Sequence, residues 1–126
     1  MLLVGFGGAI GSILRFLTSI LAAHWFGAEF PYGTMIANLS GAFAIGLVQQ
    51  IGGETLLIPD NVRIFLTTGM MGGLTTFSTF SYETVRLMET NAWHQAWINI
   101  FVTTTVCLCL CFLGMTVGRL VLTLRG

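Results

Sequence analysis

Apolar residues fill four long runs of this chain, at about 2–23, 34–51, 62–88 and 96–124, and most charged positions fall between them or at their ends. A helix needs roughly 20 apolar residues to cross the hydrocarbon of a bilayer. Each run therefore predicts one membrane span. The expected fold class is an all-α membrane protein, with residues 1–126 forming a single four-span domain. The first run lacks a basic leader and continues past residue 20, which predicts a retained span rather than a cleaved signal. The connection HWFGAEFPYG over 24–33 holds Glu29, Pro31 and the interface-type aromatics Trp25 and Tyr32. The connection GGETLLIPDN over 52–61 ends in a helix-start signal, with Asp60 or Asn61 as cap. A short loop over 89–94 leads into the last span.

The third run differs from the others. Its stretch GMMGGLTTFSTFSYE, over 69–83, places Gly69, Gly72 and Gly73 ahead of a Thr75–Thr76 pair. Glycines followed by paired threonines are poor material for a helix interior. A break in the third helix is expected there. Backbone that leaves the helix at membrane depth must be buried in protein or line a wet cavity. The stretch thus predicts either an ion site and permeation path or a small-residue packing face. Phe77 and Phe80 are three apart on one side of the following helix, and Ser81, four past Phe77, shares it. A phenyl ring has an electron-poor edge, so two edges can hold a small anion without a full charge, although packing is the commoner use of Phe. Glu83 follows one turn beyond Phe80, with Arg86 three further on as a possible ion-pair partner.

Composition narrows the class. The chain is 55% hydrophobic and 8% charged, against about 25% charged residues in soluble domains. It has no lysine, five arginines and a net charge of zero, so nucleic acid is not an expected partner. The arginines barely distinguish the two sides of the membrane, which leaves insertion in both orientations, and an antiparallel homodimer, open. Four helices are too few to enclose a wide pore, so a pore here calls for a second copy. Cys107 and Cys111 share a helix face while Cys109 points elsewhere, which suits small buried hydrophobes better than a metal site.

Several polar positions lie inside the remaining spans. Arg15 sits about eight residues from the end of the first, or roughly 12 Å of helix. It either snorkels or caps carbonyls at a broken helix, or sets the potential of an anion vestibule. Asn38 shares a face with Thr34 and Gly41, and either ties two helices together or offers its amide to an anion. Asn99, Thr103, Cys107 and Cys111 form a partly polar stripe, with Thr104 and Thr105 off it. Gly7 and Gly11, and again Gly114 and Gly118, make GxxxG pairs that let helices approach closely. There is no HExxH, no GxSxG and no P-loop lysine, and an enzyme is not expected. The alternative transport reading is a small four-helix drug/proton antiporter, for which Glu83 is the nearest thing to an embedded carboxylate.

Three motifs in order carry a family resemblance. GGAIGSILRF over 7–16, GTMIANLSGAF over 33–43 and GMMGGLTTFSTFSYE over 69–83 resemble the signatures of the small Fluc (CrcB-type) fluoride channels. The resemblance covers nearly the whole chain. It implies an antiparallel, dual-topology homodimer in the bacterial inner membrane, in contact with membrane lipid and passing fluoride through two pores. It implies a structural Na+ on the dimer axis, held by the carbonyls of Gly72 and Thr75 of both chains. It places Phe77 and Phe80 as the rings whose edges contact fluoride, Asn38 as a pore amide, and Arg15 in the vestibule. Thr76, Thr79, Ser81 and Glu83 fall around the same path. In the fourth span the family often has Tyr and then Ser, where this chain has Asn99 and Thr103, so Thr103 stands as the expected pore hydroxyl. The implied function is passive export of F− that lowers its toxicity. Fluoride is small and strongly hydrated, so a narrow path of donors has to replace its water, and conduction requires binding weak enough to release.

Overall fold

The computed structural model of the chain describes residues 1–54 and 58–125. Positions 55–57 of the polar connection expected over 52–61 lie outside the described residues. All regular structure among the described residues is helical. In order, it comprises α1 (Leu2–Phe26), α2 (Tyr32–Glu54), α3 (Asp60–Ile64), a π-helical stretch (Phe65–Met71), α4 (Gly72–Leu74), α5 (Phe77–Glu89) and α6 (Trp93–Arg125). Among the described residues, three helices are long and apolar enough to cross a membrane: Leu2–Phe26, Tyr32–Gly53 and Trp93–Leu124. Each extends past the run that predicted it, because Trp25, Phe26, Tyr32 and Trp93 continue the helices into the interface-type aromatics.

Residues 60–89 make no single helix. The chain runs helically from Asp60 to Leu74, with wider i→i+5 turns between Phe65 and Met71 that rotate the side-chain register relative to a plain α-helix. Thr75 (φ −87°, ψ 152°) and Thr76 (φ −154°, ψ 121°) are then extended, and α5 starts at Phe77. The Thr76 hydroxyl oxygen accepts from the Thr79 N–H at 3.1 Å, an N-cap that sets where α5 begins. At its far end α5 stops with Asn91 in the left-handed region (φ 64°). There the Ala92 N–H reaches the Leu87 carbonyl at 2.7 Å and the Asn91 N–H the Met88 carbonyl at 3.1 Å, which together turn the chain into α6.

The cap expected at the start of α3 is corrected. Pro59 occupies the N-cap position and no side chain caps the helix. Asp60 instead lies in the first turn, where its charge suits the helix dipole and it pairs with Arg63 at 3.5 Å.

Small residues set the packing. A Cβ on Gly7 would fall 2.6 Å from the Phe65 carbonyl oxygen and 2.9 Å from the Gly69 Cα, and one on Gly11 would overlap the Met70 carbonyl. Thus α1 lies backbone against backbone on residues 65–74. The pairing of α2 with α6 has the same character, since a Cβ on Gly46 would overlap the Cys111 carbonyl and one on Gly114 the Phe43 carbonyl. Lipid tails give helices no hydrophobic reason to associate, so such close van der Waals contact is what holds them. A small core of Ala37, Met71 and Leu74, with Ala44, Ile45 and Met70 against it, sits directly beneath the break. In contrast, Phe6, Phe16, Phe101, Leu108 and Phe112 are all more than 60% exposed, an outer surface fit for lipid or a second chain rather than water.

Gly11→Ala is expected to destabilise the fold by about 1–3 kcal/mol, the usual cost of overpacking. Gly5→Ala, with nothing within 4 Å of the added carbon, is expected to leave stability unchanged or raised. Thermal unfolding of both variants in detergent checks the contrast.

Candidate functional site

The break at Thr75–Thr76 is secured from two neighbouring helices. From α2, Asn38 pairs with the backbone of Thr76 on both sides. Its Oδ1 accepts from the Thr76 N–H at 2.7 Å and its Nδ2 donates to the Thr76 carbonyl at 3.1 Å. One Nδ2 proton remains for another acceptor. From α1, Arg15 Nε donates to the Gly73 carbonyl at 3.2 Å and its Nη1 donates to the Thr79 hydroxyl at 3.4 Å. Arg15 therefore bridges the end of α4 and the first turn of α5. Arg15 thus makes a carbonyl-capping contact, and Asn38 joins α2 to the break.

Other backbone groups at the break remain acceptors. The last helical bond before it runs from the Thr75 N–H to the Met71 carbonyl at 2.9 Å, and the Thr75 hydroxyl donates to the same oxygen at 2.7 Å. With the Thr76 N–H committed to Asn38, no fourth-residue donor is left for the Gly72 carbonyl. The Thr75 carbonyl likewise lies beyond the helical ladder. Among the described residues no group of three or more His, Cys, Asp or Glu is arranged to hold a metal. Any cation here would have to use such carbonyls, and bare carbonyl oxygens suit a hard cation.

Against the break lies a cavity of about 430 Å³, walled by Asn38 and Gly41 of α2, Thr75, Thr76, Phe77 and Phe80, and Thr103, Thr104, Cys107 and Leu108 of α6. No wall residue is charged. The Phe77 and Phe80 rings meet at 5.7 Å between centroids and 45° between planes, an inclined pairing rather than a stack. Phe80 is 8% exposed whereas Phe77 is 78% exposed, so the cavity opens on the outer surface of the chain. Gly41 is close enough to Thr75 that a Cβ there would overlap the Thr75 methyl.

The structure brings together Asn38, Thr75, Thr76, Phe77, Phe80 and Thr103 of the expected site residues. It uses several of their polar groups internally. The Thr76 hydroxyl caps α5 and contacts the Ser78 hydroxyl at 3.3 Å. The Thr103 hydroxyl donates to Asn99 Oδ1 at 3.2 Å. Thr79 lies outside the cavity wall, under Arg15. Ser81 is also outside it, with its hydroxyl donating to the Phe77 carbonyl of its own helix at 2.9 Å. Thr104, which the polar stripe leaves off, lines the cavity beside Thr103, and Met71 forms part of the wall without any polar signal in the sequence.

Glu83 stands apart from this cavity. It borders two smaller ones at the other end of α5, of about 260 and 160 Å³, shared with Glu29, Arg86 and Thr90 and with Ser19, Tyr32 and Thr34 respectively. Its Oε1 is buried without a hydrogen-bond partner. Arg86 borders the first of these cavities but makes no ion pair with Glu83; the ion pair among the described residues is Arg63–Asp60.

The family model described as CrcB-like protein, Camphor Resistance (CrcB), matches residues 2–115. A protein of Clostridium perfringens named fluoride-specific ion channel FluC is 56% identical over 87 residues, covering 69% of this chain and 68% of its own. Proteins with that name from Sorangium cellulosum and a Geobacter species are 44% and 46% identical, over 92% and 89% of this chain and 91% and 90% of theirs. With its apolar helices and a match that leaves out only its first residue and a short end, the chain is a multi-pass membrane protein and belongs to the CrcB-like family.

Proposed function

We propose that this chain is a fluoride-selective ion channel of the plasma membrane, carrying F− passively out of the cell and so lowering its toxicity. The observation that carries the proposal is the uncharged cavity whose wall the Phe77–Phe80 pair shares with Asn38, Thr76 and Thr103 at the helix break. The relatives named fluoride-specific ion channels support the choice of ion.

Phenyl edges and the spare Asn38 proton give an anion polarised but uncharged partners. The first N–H groups of α5, at Phe77 and Ser78, have no partners within their own helix and add the positive end of a helix dipole. None of these binds as tightly as a lysine would. Weak binding at several places favours release as well as entry. Glu83 borders other cavities, which speaks against a mechanism that alternates a carboxylate's protonation inside the main one.

The open side of the cavity, where Phe77 is 78% exposed, is the reason to propose a second copy of the chain as the missing wall. An antiparallel homodimer would set two such cavities against one another. The Gly72 and Thr75 carbonyls fit a Na+ between the two chains, since they are oxygen donors left over by the broken helix. Bound there, a Na+ would satisfy the lone pairs that the Gly72 and Thr75 carbonyls leave unpaired. The residues of each chain do the rest: Asn38 fixes the break, and the two rings present themselves to the ion path.

Liposomes carrying purified protein are expected to release fluoride at least about a hundredfold faster than chloride, a discrimination of roughly 2.7 kcal/mol. An ion-selective electrode reads both, and absent fluoride efflux overturns the proposal. Phe77→Ile should reduce fluoride efflux by tenfold or more, about 1.4 kcal/mol, with the size-exclusion profile of the native protein retained. Equal flux in the variant would remove the ring from the mechanism. Tags at either terminus should be accessible from both sides of the membrane, and a single orientation in cells would exclude the antiparallel pair.

A further inference from the structure

A buried polar network joins α5 to α6 behind the cavity wall. Asn99, on α6, is 2% exposed and is the largest fully buried side chain among the described residues. Its Nδ2 donates to the Thr84 hydroxyl of α5 at 2.9 Å. The Thr84 hydroxyl donates in turn to the Phe80 carbonyl at 2.7 Å. On the other side, the Thr103 hydroxyl donates to Asn99 Oδ1 at 3.2 Å. Thr84 is 5% and Thr103 6% exposed.

Hydrogen-bond counting fixes the direction of this chain. Thr84 has a single hydroxyl proton, and it goes to the Phe80 carbonyl. Its oxygen can then only accept, so the amide nitrogen of Asn99 must face it and the amide oxygen must face Thr103. Every donor thus runs from α6 toward the backbone of Phe80. The Thr103 hydroxyl spends its proton inward, on Asn99, rather than on the cavity it borders.

We propose that Asn99 and Thr84 are positioning residues for the Phe80 ring: the network ties the α5 backbone at Phe80 to α6 at Thr103, and so sets the distance between two walls of the ion cavity. The inference rests on the channel reading above and assigns Thr103 to the brace rather than to the ion. Two features of the network make it a positioning device. It joins helices at the one turn of α5 that carries the buried ring of the pair. It also ends on a carbonyl already inside a helix, where it adjusts the helix rather than capping it. Partly satisfied buried networks are costly, so removing any member displaces the others. Thr84 separates positioning from ion contact, because it borders none of the three cavities described above.

The test is fluoride and chloride efflux from liposomes carrying the full chain, for native protein, Thr84→Val, Thr84→Ser and Asn99→Ala, each normalised to correctly assembled protein. Thr84→Val is expected to lower fluoride efflux roughly tenfold, the scale of one buried group left unpaired, and to narrow the ratio of fluoride to chloride flux. Thr84→Ser, which keeps the hydroxyl, is expected to retain both. Should Thr84→Val fail to assemble, Thr84→Ala removes the hydroxyl without adding bulk and is measured in the same way. Native flux and native ion ratio in the hydroxyl-less variant overturn the brace while leaving the channel reading intact. So does a lowered melting temperature with an unchanged ratio, which is what a purely structural bond would give. A loss confined to Asn99→Ala, with Thr84→Val like the native protein, would place Asn99 on the ion itself and also overturn it. A native protein that releases no fluoride overturns the brace and the channel reading together.

Discussion

Backbone polar groups cannot be left bare in hydrocarbon, and the Thr75–Thr76 break is where this chain meets that constraint. Leaving the helix for two residues frees donors and acceptors that water cannot reach. Three of the donors are covered from within the chain: Thr76 N–H by Asn38, Thr75 N–H by the Met71 carbonyl, and Thr79 N–H by the Thr76 hydroxyl. Acceptors are covered only in part, at Gly73 by Arg15 and at Thr76 by Asn38. What remains is an excess of carbonyl oxygen on the Gly72–Thr75 side and, one turn later, the positive start of α5. A single interruption thus creates two unlike environments a few residues apart, one rich in carbonyl acceptors and one in N–H donors.

The rest of the architecture keeps that interruption in place without charged ligands. Glycines at 7, 11, 69 and 73 bring α1 onto residues 65–74 at backbone distance, and this closeness lets Arg15 reach the end of α4. On the other side Ala37, Met71 and Leu74 pack beneath the break and hold Asn38 opposite Thr76. Gly46 and Gly114 do the equivalent for α2 and α6, which brings Thr103 to the far wall of the cavity. A larger residue at Gly11 would push α1 off residues 70–74, one turn from the bond of Arg15 to the Gly73 carbonyl.

The helical class and the three long apolar helices were legible because apolar runs of membrane length admit few alternatives. The unusual character of 69–83 was legible too, since glycine and paired threonine sit badly in a helix. The partners of each polar group were not. Asn38 and Thr76 are 38 positions apart, and Arg15 and Gly73 are 58 apart; nothing local in the sequence relates them. Periodicity put Ser81 with Phe77 and left Thr104 off the polar stripe, whereas the cavity takes Thr104 and not Ser81. Helix spacing reports which residues share a face, but not which part of that face a neighbour covers. The cap of α3 failed for a similar reason: Asp60 and Asn61 both have capping chemistry, but Pro59 already holds the extended geometry, so the helix starts one residue early.

Arg15 shows how a formal charge can be carried at membrane depth without dominating an anion path. Its guanidinium lies at the C-terminal end of the helical run over 60–74, where the helix dipole is negative, and it donates to the Gly73 carbonyl there. The partner that compensates the charge is therefore a helix end, not an acid. Such compensation is partial, because a helix terminus contributes only about half an elementary charge. The positive potential that the guanidinium projects is reduced accordingly. A lysine would not reproduce this. Its single flexible ammonium lacks the planar fork that lets Arg15 hold Gly73 and Thr79 together, and so it would supply charge without joining the two sides of the break.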